Sequence, residues 1–291
     1  MHRYVNLAVS GVLLAGLYSS MAYGLGLIYG VLRVVNLAHA GVIMIAAYAT
    51  WVLHDKTGLD PYLAIPIILP AFFLFGVVLY WGLVRHLPRG AAGGVQSLLL
   101  LFGVWLLLRN AAYLMFTGND KAIRTSYSTT GIDILGTPVS LNRIIVFLLS
   151  AIVLVALHLL LQHTFVGRAI RAVAQNPESC TLVGIDVERI YMLTFGIGTA
   201  LAALGGLFLA TNFAFNPTSG AAELLKSFVI VVLGGLGSVV GIALGALVLA
   251  LVESYSSLFL PSLLTSAVGF VLLVLILVIR PGGLFGQRVL G

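Results

Sequence analysis

Asn36 and His39 stand three residues apart, so on a helix an amide and an imidazole share one face. In one reading the pair shapes a polar path or a gate. In the other, Asn36 caps the helix and His39 bonds a neighbouring carbonyl. Glu223 and Lys226 repeat the spacing, which suits an ion pair one turn apart or the outer mouth of a path. Arg109 lies within an apolar run and is expected to snorkel outward or to bond another helix. His158 reads as structural, and Glu253 is expected near the outer surface, solvated. These groups do not assemble into catalysis. None of Lys56, Lys121 or Lys226 follows a glycine, so the G-x-x-x-x-G-K-[ST] phosphate loop is missing. H-E-x-x-H, G-x-S-x-G and paired carboxylates are also missing, so no catalytic residue and no metal ligand is expected. The lone Cys180 excludes an intrachain disulfide and reads as a small buried apolar residue.

The most strongly punctuated polar stretch is Gly167–Asp186. Asn176 is a good N-cap, Pro177 is preset for the first helical position, and Glu178 suits the positive end of a helix dipole. Gly184 fits the position just past a helix end. The pattern predicts a two-turn helix over 177–183, introduced by a basic helical stretch carrying Arg168 and Arg171. A bilayer has no use for so defined a short helix. It is either a docking element for a partner outside the membrane or an ordinary capped interfacial helix.

The elements that must position these groups are apolar. Hydrophobic residues make up 60% of the 291 and charged residues 8%, with a mean hydropathy of +1.13. Soluble domains carry about 25% charged residues. Runs of about 20 apolar residues span roughly 30 Å of hydrocarbon at about 1.5 Å each. They fall near 5–31, 36–53, 61–84, 94–116, 142–162, 190–212 and 262–279. The stretch 222–256 is too long for one crossing and is broken at Gly234-Gly235-Leu236-Gly237-Ser238, which predicts a hairpin of 222–235 and 239–256. Gly241 and Gly245 form a small-xxx-small pair suited to close helix packing.

The fold class is therefore all-α: a polytopic helical membrane protein of about eight or nine segments, one domain over 1–291. The connections Thr117–Leu141 and Gln162–Arg189 are too short to fold as separate domains. Ser20-Met21-Ala22 resembles a signal cleavage site, but the apolar run continues past it to Leu32 and reads as a retained first helix. The net charge of +6 comes from scattered residues, never three in a row, which speaks for membrane anchors and not for nucleic acid. With the N-terminus outside, Arg33, Arg85, Arg89, Arg168, Arg171, Arg189, Arg280 and Arg288 lie inside. Arg3, Lys56, Lys121, Arg124, Arg143 and Lys226 lie outside, a weak bias.

Three segments together carry a resemblance: Tyr29–Gly41, the loop through Arg189 into Thr194-Phe195-Gly196-Ile197-Gly198, and Leu233–Gly241. With the tail Arg280–Gly286, they make the chain similar to the permeases of branched-chain amino-acid ABC importers, specifically the shorter of the two paired permeases. The chain departs at Ala40 and Arg280, where that family more often has glycine and an uncharged residue. The resemblance implies a multi-pass protein of the bacterial inner (plasma) membrane. Its partners would be a second, different permease chain, two ATPase subunits and an extracytoplasmic binding protein. No cofactor is expected in this chain, with ATP and Mg on the ATPases. The cytoplasmic loop 163–189 would hold the coupling helix, with Arg171, Asn176, Pro177, Glu178, Leu182 and Gly184 as coupling residues. Asn36, His39, Gly234, Gly235, Gly237 and Ser238 are the pathway or gate candidates.

Leucine, isoleucine and valine are the expected cargo, carried by alternating access. Relatives in that family carry urea, short amides or aromatic acids, so those stay open. A self-sufficient carrier or channel would need ion-coupling groups inside the membrane, which the sequence lacks. An intramembrane enzyme lacks an acid–base constellation.

Overall fold

The computed structural model describes residues 2–88, 91–128, 130–134, 136–235, 237–280 and 283. Arg89, Leu236, Arg288 and most of the tail motif 281–286 lie outside the described residues. The helices are α1 (His2–Leu32), α2 (Ala38–Thr57), α3 (Ile65–Gly82), α4 (Ala91–Phe116), α5 (Leu141–His163) and α6 (Phe165–Gln175). They continue with α7 (Pro177–Leu182), α8 (Val187–Asn212), α9 (Ser219–Gly234), α10 (Val239–Ser256) and α11 (Ser262–Ile279). Among the described residues, six helical stretches are long and apolar enough to cross a membrane: those of α1, α3, α4, α5, α8 and α10. The apolar runs assigned to α2, α9 and α11 are helical too, but shorter or more polar.

The core is built on α1 and α8. Their central faces are almost wholly covered, whereas α3, α4 and α5 turn large apolar side chains such as Leu74, Leu107 and Ile152 outward. Glycine makes the α1–α8 crossing possible. A Cβ on Gly24 would stand 2.1 Å from the Gly198 carbonyl oxygen, a distance no side chain tolerates. The hairpin of α9 and α10 closes the same way, with Gly241 against the Gly234 carbonyl and Gly245 against that of Ile230.

Two features were not expected. The connection 117–141 carries an antiparallel hairpin, β1 (Gly131–Ile134) with β2 (Thr137–Ser140), turning at Gly136 with φ +79°. And α2 does not start level with the end of α1. His39 Nε2 lies 2.8 Å from the Met21 carbonyl oxygen, eleven residues and about 16 Å back along α1. Residues 33–37 therefore fold back into the bundle, with Arg33 at φ +58° and Asn36 buried. Non-helical backbone at such depth is tolerable because it packs against protein.

Candidate functional site

The loop segment folds as two helices set at an angle. In α6, Ala169, Ile170 and Val173 are buried while Arg168 and Arg171 are exposed. Arg171 donates to Gln162 Oε1 at 2.5 Å, tying α6 to the end of α5. Asn176 then caps α7, its Oδ1 accepting from the Ser179 N–H at 2.9 Å, with Pro177 at the first position and Glu178 in the first turn. At the far end Gly184 has φ +82°. Its N–H donates to Thr181 O at 3.1 Å and that of Ile185 to Cys180 O at 3.0 Å, a Schellman closure. Asp186 immediately caps α8, accepting from the Arg189 N–H at 3.1 Å. Cys180 is buried and free and anchors α7 to the bundle. Leu182 and Val183 instead project outward, 88% and 74% exposed. Five of the six coupling candidates thus fall on one short element closed at both ends by hydrogen bonds, with Arg171 on the helix before it.

A cleft of about 840 Å³ opens beside this element. Its walls are the end of α1 and the residues just after it (Val31–Val34), Tyr80 of α3 and Val84 just beyond that helix, Pro177 and Thr181 of α7, and Tyr191 of α8. Tyr80 donates to Glu188 Oε2 at 2.8 Å across it. A displacement of α7 would therefore be felt directly near the ends of α1, α3 and α8.

The pathway candidates separate into two places. Gly235 (φ +85°) and Gly237 (φ +89°) turn the α9–α10 reversal, and Ser238 caps α10 by accepting from the Gly241 N–H at 3.0 Å. The reversal rests on α1, where a Cβ on Gly30 would come within 3.1 Å of Gly237 Cα. Gly283 of the tail packs against the same turn. Asn36 and His39 lie deeper. Asn36 does not cap α2, whose N-cap position is Leu37. Among the described residues its Oδ1 and His39 Nδ1, both buried, have no hydrogen-bond partner, which leaves two polar atoms able to meet a solute or water. The bond from His39 Nε2 to Met21 O is the carbonyl contact anticipated from the sequence.

Glu253 is corrected outright. It is buried, not solvated, because α10 packs its last turns against α1. Tyr18 of α1 donates to Glu253 Oε2 at 2.5 Å, and Lys226 Nζ donates to Tyr18 OH at 2.9 Å. Lys226 pairs with Glu223 at 3.8 Å, as the spacing suggested. Two carboxylates and one ammonium thus meet between α1, α9 and α10, with Glu223 Oε2 and Glu253 Oε1 left without partners among the described residues. Nothing local in the sequence signals this cluster, since Tyr18 and Glu253 are 235 residues apart. Among the described residues Arg109 makes no hydrogen bond or ion pair to another helix. Its buried Nε has no partner and its guanidinium lies 5.8 Å from the Tyr113 ring on the same helix.

Among known proteins, the family described as the permease component of branched-chain amino acid transport systems matches residues 7–279. The high-affinity branched-chain amino acid transport system permease protein BraD of Pseudomonas aeruginosa is 30% identical, over 98% of this chain and 97% of its own. The corresponding LivH protein of Escherichia coli is 27% identical, over 96% and 94%. The ribose import permease protein RbsC of Escherichia coli is 30% identical over 56% of this chain and 53% of its own. No solved structure matches the chain. A match running through the core helices, the capped α7 and the glycine reversal makes this multi-pass membrane protein a member of the branched-chain amino acid transport permease family.

Proposed function

We propose that the chain is the membrane-spanning subunit of an ATP-binding-cassette importer for leucine, isoleucine and valine. It works by alternating access in the bacterial inner membrane. Two ATPase subunits, a second permease chain and an extracytoplasmic binding protein complete the assembly, with ATP and Mg on the ATPases. The observation that carries the reading is α7. A six-residue helix capped at both ends holds Leu182 and Val183 in water, where apolar side chains gain nothing unless a partner covers them.

The mechanism follows from what α7 touches. An ATPase cleft grips the exposed tip, and closure of the ATPases displaces α7 as a rigid piece because its caps resist fraying. The cleft of α1, α3 and α8 ends beside it converts that displacement into opening or closing of the membrane path. Asn36 in the link before α2, His39 on α2 and the Gly234–Ser238 turn between α9 and α10 would gate that path. The test is co-purification. Tagged chain co-expressed with the ATPases should retain them, and Leu182→Asp should release them while leaving membrane insertion intact. Retention of the ATPases by the aspartate variant would place the docking surface elsewhere.

A further inference from the structure

A second cavity, of about 230 Å³, lies at the end of the molecule opposite α7, and its walls combine three chemistries. Leu13, Leu14 and Leu17 of α1 with Val146 of α5 give an aliphatic side. Glu253 and Arg143 give one charge of each sign. The volume falls below the roughly 300–1,000 Å³ of pockets for drug-sized ligands, which suits a smaller solute.

The two charges are not spent on one another. Among the described residues Arg143 has no hydrogen bond and no ion pair, and Glu253 keeps only Tyr18, on Oε2, leaving Oε1 free. Both are also placed against their helix dipoles. Arg143 is in the first turn of α5, where the helix end is already positive, and Glu253 is in the last turn of α10, where it is negative. Each end therefore favours an outside counter-charge: a carboxylate at Arg143 and an ammonium at Glu253. Among the described residues Lys226 makes no direct ion pair with Glu253: it reaches the Tyr18 hydroxyl and Glu223, and its charge acts on Glu253 only across that hydroxyl, leaving Oε1 for a second cation.

We infer that this cavity is a recognition site for a zwitterion with an aliphatic side chain. Its carboxylate would meet Arg143, its ammonium Glu253, and its side chain the leucines of α1. The inference rests on the transport reading above and adds where the solute is first held. A solute lacking the ammonium would leave the buried Glu253 carboxylate unmatched, and one lacking the carboxylate would forgo the contact with Arg143 at the exposed rim.

The test uses the complete importer in proteoliposomes, with Ser10→Cys placing a thiol on the cavity wall and a maleimide as probe. The native chain, whose Cys180 is buried, supplies the blank. Saturating leucine should slow labelling of Ser10→Cys about tenfold, while 4-methylpentanoate and isoamylamine, each lacking one charge, should not at the same concentration. Glu253→Gln and Arg143→Gln should each raise the half-protecting leucine concentration about tenfold or more, the loss expected for a hydrogen bond to a charged group. Should the glutamine variant misfold, the Ser10→Cys result still decides, because Glu253 is intact in it. No protection in proteoliposomes that do import leucine overturns the site and leaves the transport reading standing. Failure of the native chain to import leucine overturns both.

Discussion

Gly184 offers a perturbation of α7 that changes backbone energy and nothing else. Its φ of +82° is left-handed, and a Cβ built there meets nothing within 4 Å. A side chain therefore adds no clash, only the cost of holding an L-residue in the left-handed region, about 1–2 kcal/mol and more for a β-branched one. Asparagine tolerates that conformation, so the expected order of damage is Gly184→Asn, then Gly184→Ala, then Gly184→Val. At 1.4 kcal/mol per factor of ten, the valine variant should populate the intact Schellman closure roughly ten- to thirtyfold less relative to its frayed alternatives. If α7 transmits force, leucine uptake by the assembled importer should fall in that order. ATP hydrolysis should fall less, because the ATPases need not be gripped to turn over. The assay is uptake and hydrolysis measured side by side in proteoliposomes. Equal uptake by the asparagine and valine variants would refute the claim that the helix must be rigid.

Other expectations concern the bundle. Gly24→Leu should cost at least about 3 kcal/mol, because its Cβ would meet backbone at 2.1 Å; Gly103→Ala, with open space around it, should be neutral or slightly stabilising. Thermal unfolding in detergent separates the two. Tyr18→Phe removes the hydroxyl between Glu253 and Lys226 and should lower stability by about 1.5–3 kcal/mol, whereas Tyr255→Phe, at the exposed end of α10, should change little. The purified chain alone should hydrolyse no ATP, since no phosphate loop is present. Phosphate release above the background of a mock preparation would contradict it.

The parts of the fold readable in sequence are those set by local chemistry. Apolar runs bounded by glycine, proline and charges place the long helices to within a few residues, as for 142–162 against α5. The caps of α7 involve partners three to five residues away, so Asn176, Pro177 and Gly184 announce them without help from the rest of the chain. What stays hidden depends on tertiary approach. Glu253 stands three residues before Ser256, where α10 ends, and looks like a solvated helix end. Only the packing of α10 on α1, through Gly11 against Leu251, buries it beside Tyr18. The start of α2 is hidden for the same reason. A five-residue link can run along the membrane edge or fold back, and the bond from His39 to Met21 O decides. The β1–β2 hairpin, four residues a strand, is too short for alternation to stand out.

The most direct measurement of the central claim is uptake of labelled leucine by proteoliposomes holding this chain with its second permease, ATPases and binding protein. Uptake should require ATP and every partner, should be competed by isoleucine and valine, and should vanish with Leu182→Asp while the chain remains in the membrane. Leucine uptake by this chain alone, without ATP or partners, would contradict the account.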